Sequence, residues 1–249
     1  MSDEMRRLAK AGKTFYFSTL WLDKRTRQDA ALAYAFCRTV DDIADGDLTE
    51  AARERDLREI ARALINKDMK HELIRPLEPL FARYPEVTEP LAALVEACRQ
   101  DTPQLAINDE HDLERYAFGV AGNVGLIMYP ILGGTRAVGR QYASDLGMAM
   151  QATNIARDVI EDIKRGRVYI PSTWLDHADL RQLFVDERHY ERPVVDAIRR
   201  VGSQDSAILL QRIASRFRSP PVVTPLSVIV SLYGGDLRAG DQQCLSARR

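Results

Sequence analysis

Apolar positions recur at spacings of three and four residues along nearly the whole chain, and strand-like alternation is scarce. That period predicts helices over 2–20, 26–45, 48–68, 72–84, 89–100, 109–132, 135–164, 189–217 and 224–233. Prolines sit where these segments would start, kink or stop, as at Pro76, Pro79, Pro130, Pro171 and Pro193. Thr88, Glu89 and Pro90 read as an N-cap followed by a proline in the first helical turn. No low-complexity linker and no periodic repeat divides the chain. The expected fold class is all-α, a helical bundle in one domain over 1–249.

Two of these helices carry the same unusual pattern. In "YAFCRTVDDIADG" (34–46), Tyr34, Arg38, Asp41 and Asp45 form one stripe at about 100° per residue, while Asp42 projects away. Most of the remaining circumference is apolar, and a helix apolar on most sides is a buried one. The second stretch, "MAMQATNIARDVIEDIKRGRVYIP" (148–171), sets Gln151, Asn154, Asp158 and Asp162 in a matching stripe, flanked by Arg157 and Glu161. The carboxylates are therefore expected to face an interior cavity.

Ionised carboxylates in apolar surroundings are costly unless they are paired, hydrogen-bonded or bound to a metal. Structural ion pairing with Arg38 and Arg157 is the plain explanation for one such pair. Two matched stripes favour a site. All-oxygen donors suit Mg²⁺, which shares its coordination with phosphate oxygens, and neither stretch has zinc spacing. Arg38, Lys164, Arg165 and Arg167 are suitable diphosphate partners. A diphosphate bound inside an apolar bundle implies a hydrocarbon at its other end.

Composition narrows the classes further. With 249 residues, 45% hydrophobic and 29% charged, the chain can bury a sizeable core. A net charge of −1 and scattered basic residues give no field for nucleic acid. Cys37, Cys98 and Cys244 lack metal spacing and read as free thiols. The charged start "MSDEMRRLAK" has no apolar core of a signal, so a cytoplasmic location is expected, with peripheral membrane contact left open. Gly119, Gly122 and Gly125 suit close helix packing, or a trough for a tail.

The ordered blocks "KTFYFSTLWL" (13–22), "YAFCRTVDDIAD" (34–45) and "NIARDVIEDIKRGRVYIP" (154–171), with "YAFGVAGNVGLIMYPILG" (116–133) between them, resemble the squalene and phytoene synthase family of head-to-head prenyl synthases, most of all its phytoene branch. The likeness covers roughly 10–235. It implies an isoprenoid-synthase bundle with a central cavity, two prenyl diphosphate substrates, and Mg²⁺ with Mn²⁺ as the alternative. NADPH is not expected for the phytoene-type reaction. By the same resemblance Asp41 and Asp45 would be the first metal pair, and Asn154, Asp158 and Asp162 the second, with Asp42 and Glu161 supporting them. Lys13, Arg38, Arg157, Arg167 and Tyr169 would contact diphosphate. Phe15, Tyr34, Tyr116, Val120, Ala121, Gly125 and Gln151 would line the cavity. Ala11, Gly12, Ala156 and Ile160 depart from the family's usual residues. A squalene- or dehydrosqualene-type synthase using two farnesyl diphosphates, a chain-elongating prenyl synthase or terpene cyclase of the same fold, and a non-catalytic lipid-binding or assembly relative are the rival readings.

Overall fold

The computed structural model describes residues 22–175, 184–186, 189–190, 194, 196–198, 200 and 201. The first described helix, α1 (Lys24–Asp45), is capped by Asp23, whose side chain accepts from the amides of Arg25 and Thr26 at 2.9 and 3.1 Å. Thr49 caps α2 (Glu50–Ile65) in the same way, through the amide of Ala52. The expected helix over 72–84 is broken. A 3-10 turn (Arg75–Leu77) leads into the short α3 (Glu78–Arg83), because Pro76 and Pro79 each withdraw an amide donor.

A second 3-10 turn (Pro85–Val87) runs straight into α4 (Thr88–Gln100), so Thr88 is the first helical residue and not the N-cap. Its hydroxyl donates back to the carbonyl of Pro85 at 3.1 Å. The expected helix over 109–132 is likewise interrupted. α5 (Glu110–Ala117) passes through a π turn (Phe118–Gly122) into α6 (Asn123–Ile131). The backbone amide of Asn123 closes the π turn on the Phe118 carbonyl, and its buried side-chain amide donates to the carbonyls of Phe118 and Gly119 at 3.3 and 2.9 Å.

The long α7 (Ala137–Lys164) follows. Beyond it β1 (Phe184–Asp186) and β2 (His189–Tyr190) form an antiparallel ribbon pairing Phe184 with Tyr190 and Asp186 with His189. The expected helix over 189–217 therefore does not begin at 189. Among the described residues of that segment, the first helical one is 194. The rest of that segment, and the helices expected over 2–20 and 224–233, lie outside the described residues.

Among the described residues two buried apolar clusters organise the bundle. Ala33, Phe36, Val40 and Ala44 of α1 pack with Leu57, Ile60 and Leu64 of α2 and Leu91, Leu94 and Val95 of α4. Ala152, Ile155 and Val159 of α7 belong to a second core with Leu113, Tyr169 and Ile170. The packing that joins α1 to α7 runs through α4, the π turn and α6. Close backbone approach makes that junction. A Cβ on Gly125 would fall on the Ala143 carbonyl, and one on Gly147 on the Ala121 carbonyl. Among the described residues no helix is long and apolar enough to cross a membrane.

Candidate active site

The first stripe lies along α1 with its apolar back in the core. Asp41, Asp42 and Asp45 are all exposed, so the first stripe does not face a closed interior as expected, although protein crowds the Asp41 carboxyl. Desolvation pushes its carboxyl up to about 6; Arg38 opposes the rise, and Asp45 and Asp42 add to it. Cys98 offers its thiol to Asp41 Oδ1 at 3.9 Å, a weak contact. Arg38 pairs with Asp42 one turn on, at 2.7 Å. Cys37 and Cys98 are free and buried, and desolvation drives both thiols well above the usual range.

The end of α7 explains how the two stripes are tied. Gly166 adopts a left-handed conformation at φ 79°, its amide donates to Ile163, and the amide of Arg167 donates to the carbonyl of Asp162 at 2.8 Å. This is a Schellman ending, and it needs a residue without a Cβ penalty at the turn. The chain folds back there and delivers Arg167 across to α1. Its guanidinium bonds Asp45 Oδ1 at 2.5 Å and reaches the Ala44 carbonyl at 3.3 Å. The order of "RGRVYIP" follows from this. Glycine makes the turn, Arg167 crosses, and Tyr169 and Ile170 enter the second core.

Two residues that sequence reasoning missed hold this junction. Asp101, which ends α4, is only 8% exposed and accepts from the Tyr169 hydroxyl at 2.9 Å and from the Tyr116 hydroxyl at 3.1 Å. The Tyr116 and Tyr169 rings stack at 4.6 Å between centroids. Arg167 Nε lies 3.8 Å from Asp101 Oδ1. Desolvation raises the Asp101 carboxyl above its ordinary range, against the pull of Arg167 and both phenols. Arg53, 5% exposed, donates to the carbonyls of Ala44, Cys98 and Asp101 at 3.1, 2.7 and 2.8 Å. It thereby satisfies the ends of α1 and α4 together. Signals existed for both. Arg53 falls on the apolar stripe of Leu57, Ile60 and Leu64, and Asp101 places a negative charge where the helix dipole opposes it.

On the second stripe, Asp162 is half-buried and pushed up to about 6, first by desolvation and then by Asp158 and Asp101. Arg157 grips the neighbouring Asp158 through two bonds at 2.7 and 2.6 Å. Asn154 donates to Gln151 at 3.5 Å. Tyr34, Tyr116, Val120, Ala121, Gly125 and Gln151 are all half-buried, while Glu161 is exposed. Gly125 is taken up by the contact between α6 and α7, the packing reading of the glycines. Lys13 and Phe15 lie outside the described residues.

The donor set fits a hard dication. Asp41 and Asp162 are oxygen donors already burdened by neighbouring carboxylates, a charge that Mg²⁺ would relieve. Among the described residues no three His, Cys, Asp or Glu side chains converge on one point. Mg²⁺ needs no such cage, because one or two carboxylates with substrate phosphates suffice. A recess of about 670 Å³ beside α2, with Glu54, Arg58, Arg62 and His71 among its lining, holds none of these residues.

The squalene/phytoene synthase family model matches residues 8–243. The 15-cis-phytoene synthase of Pantoea ananas is 31% identical over 244 residues, which cover 93% of this chain and 74% of that protein. The phytoene synthase of Mycobacterium tuberculosis is 31% identical over 172 residues, 69% of this chain and 57% of that one, so the chain spans little more than half of that relative's length. A dehydrosqualene synthase solved in complex with a ligand superposes with a TM-score of 0.83 at 29% identity, covering 96% of this chain and 85% of that one. With the match running through both aspartate helices and the Arg167 turn between the cores, the chain belongs to the squalene/phytoene synthase family.

Proposed function

We propose that the protein condenses two prenyl diphosphates head to head with loss of both diphosphates, in the manner of a phytoene synthase acting on two geranylgeranyl diphosphates. The carrying observation is the ion pair of Arg167 with Asp45, which ties the first aspartate helix to the turn that ends the second. Asp162 and Asp101 lie beside that guanidinium.

Asp41, Asp45, Asn154, Asp158 and Asp162 would hold Mg²⁺, with Asp42 and Glu161 behind them. Bound there, the ion supplies Lewis-acid neutralisation of charge on the departing diphosphate. Arg157 and Arg167 add fixed positive charge at the same oxygens, so the allylic C–O bond breaks with its electron pair leaving on diphosphate. Apolar residues beside the stripes keep water from the cation, and the rings of Tyr34 and Tyr116 offer it π faces. The double bond of the second chain attacks, a proton is lost and a cyclopropyl diphosphate forms. A second ionisation, rearrangement and proton loss then give the linear hydrocarbon.

The likeness to a dehydrosqualene synthase favours a second reading, in which both substrates are farnesyl diphosphate. Incubation with labelled geranylgeranyl or farnesyl diphosphate and Mg²⁺, with and without NADPH, separates the two. The expected product is a 40-carbon hydrocarbon from the longer substrate, indifferent to NADPH. A 30-carbon product from the shorter substrate alone would establish the second reading. A longer prenyl diphosphate or a cyclic terpene would contradict both.

A further inference from the structure

We propose that Asp101 is a positioning residue of this site, holding Arg167, Tyr116 and Tyr169 as one unit and so fixing where the guanidinium and the ring faces meet the substrate. The inference rests on the reading of the site as one that ionises a prenyl diphosphate. A buried carboxylate at the C-terminal end of a helix faces both desolvation and the negative end of the dipole. It is stable only when fully partnered, and every side-chain partner of Asp101 belongs to the candidate site. Tyr169 spans both carboxylate oxygens, Tyr116 takes Oδ2, and Arg167 stands opposite Oδ1.

Geometry gives the contact its consequence. A phenol tethered at its oxygen can no longer turn its ring freely, and here two tethered rings stack with 19° between their planes. The guanidinium is shared between Asp101 and Asp45, so Asp101 restrains a long side chain that would otherwise follow Asp45 alone. Asp101 is itself fixed, since Arg53 holds its carbonyl at 2.8 Å together with the carbonyls of Cys98 and Ala44. One carboxylate thus sets a cationic group and two aromatic faces at the junction of the two aspartate helices.

The test compares wild type with Asp101→Asn, Tyr169→Phe, Arg167→Gln and the double variant Asp101→Asn/Arg167→Gln. It measures kcat and KM for product formation, melting temperature without metal, and calorimetric binding of inorganic pyrophosphate with Mg²⁺. Asp101→Asn should lower kcat about 10–100-fold and weaken pyrophosphate binding, the usual consequence of removing a group that orients a functional one. The double variant should lose little beyond Arg167→Gln, because the two residues act as a unit. Tyr169→Phe removes one tether without stranding a charge and should reproduce part of the loss in kcat. It carries the test if Asp101→Asn does not fold. A folded Asp101→Asn or Tyr169→Phe within about twofold of wild-type kcat, with only the melting temperature lowered, overturns the inference and makes Asp101 scaffold. A wild type that consumes no prenyl diphosphate overturns the reading of the site, and the inference with it. An active wild type with indifferent variants overturns the inference alone.

Discussion

Asp41 and Asp162 carry the electrostatic strain of the site, and burial is its main source. Both carboxyls are pushed up to about 6 from an ordinary 3.8, so the folded chain holds these protons more tightly than the unfolded chain does. Between about pH 7 and 4 the native state binds more protons, and stability of the metal-free protein rises as the pH falls through 6. Glu54 and Glu96, held below their ordinary 4.5, keep their full contribution down to that pH and do not mask the effect. Melting temperature without metal should therefore be higher at pH 5 than at pH 7.5, and the difference should shrink in Asp41→Asn. An identical pH difference in wild type and variant would show that Asp41 carries no such strain. Asp158 differs, because its partner Arg157 is the next residue and largely exposed. Asp158→Asn strands no buried charge, so its melting temperature should stay near wild type. Product formation should fall on the order of 10²–10³-fold, as for loss of one preorganised electrostatic element. A variant that melts early but turns over normally would make Asp158 scaffold.

At the scale of elements, the end of α7 is the most sensitive joint. Gly166→Ala forces a Cβ into a left-handed position with open space around it, its nearest neighbour being Pro103 at 3.6 Å. The cost should be about 1 kcal/mol from conformation alone, with activity falling further because Arg167 loses its approach to Asp45. Gly147→Ala should cost more, about 3 kcal/mol, because a backbone carbonyl cannot give way. Chemical denaturation of both variants checks the order. The aspartate helices were legible to within two residues at each end, because their apolar period is unbroken. The π turn was not, since an extra residue in one turn leaves the apolar spacing nearly intact and is stabilised by Asn123 from the following helix. The ribbon escaped because strands of three and two residues are too short to show a period. Arg53 and Asp101 bond mainly to groups distant in sequence, and a pattern read along one helix cannot show who meets at its end.

Across the molecule, one crossing arginine ties the helix that carries the first carboxylate pair to the turn that ends the helix carrying the second. Surplus negative charge at the junction implies that a divalent ion should raise the melting temperature, and more so with inorganic pyrophosphate present. No shift with Mg²⁺, alone or with pyrophosphate, would detach the carboxylates from metal binding. The most direct measurement of the central claim counts diphosphate released against carbon chains joined, with labelled geranylgeranyl diphosphate and Mg²⁺ in a single incubation. Head-to-head condensation predicts two diphosphates released for every 40-carbon hydrocarbon formed, with both products abolished by excess chelator. One diphosphate released per condensation, with the other retained on a lengthened chain, would contradict it, as would undiminished turnover in chelator.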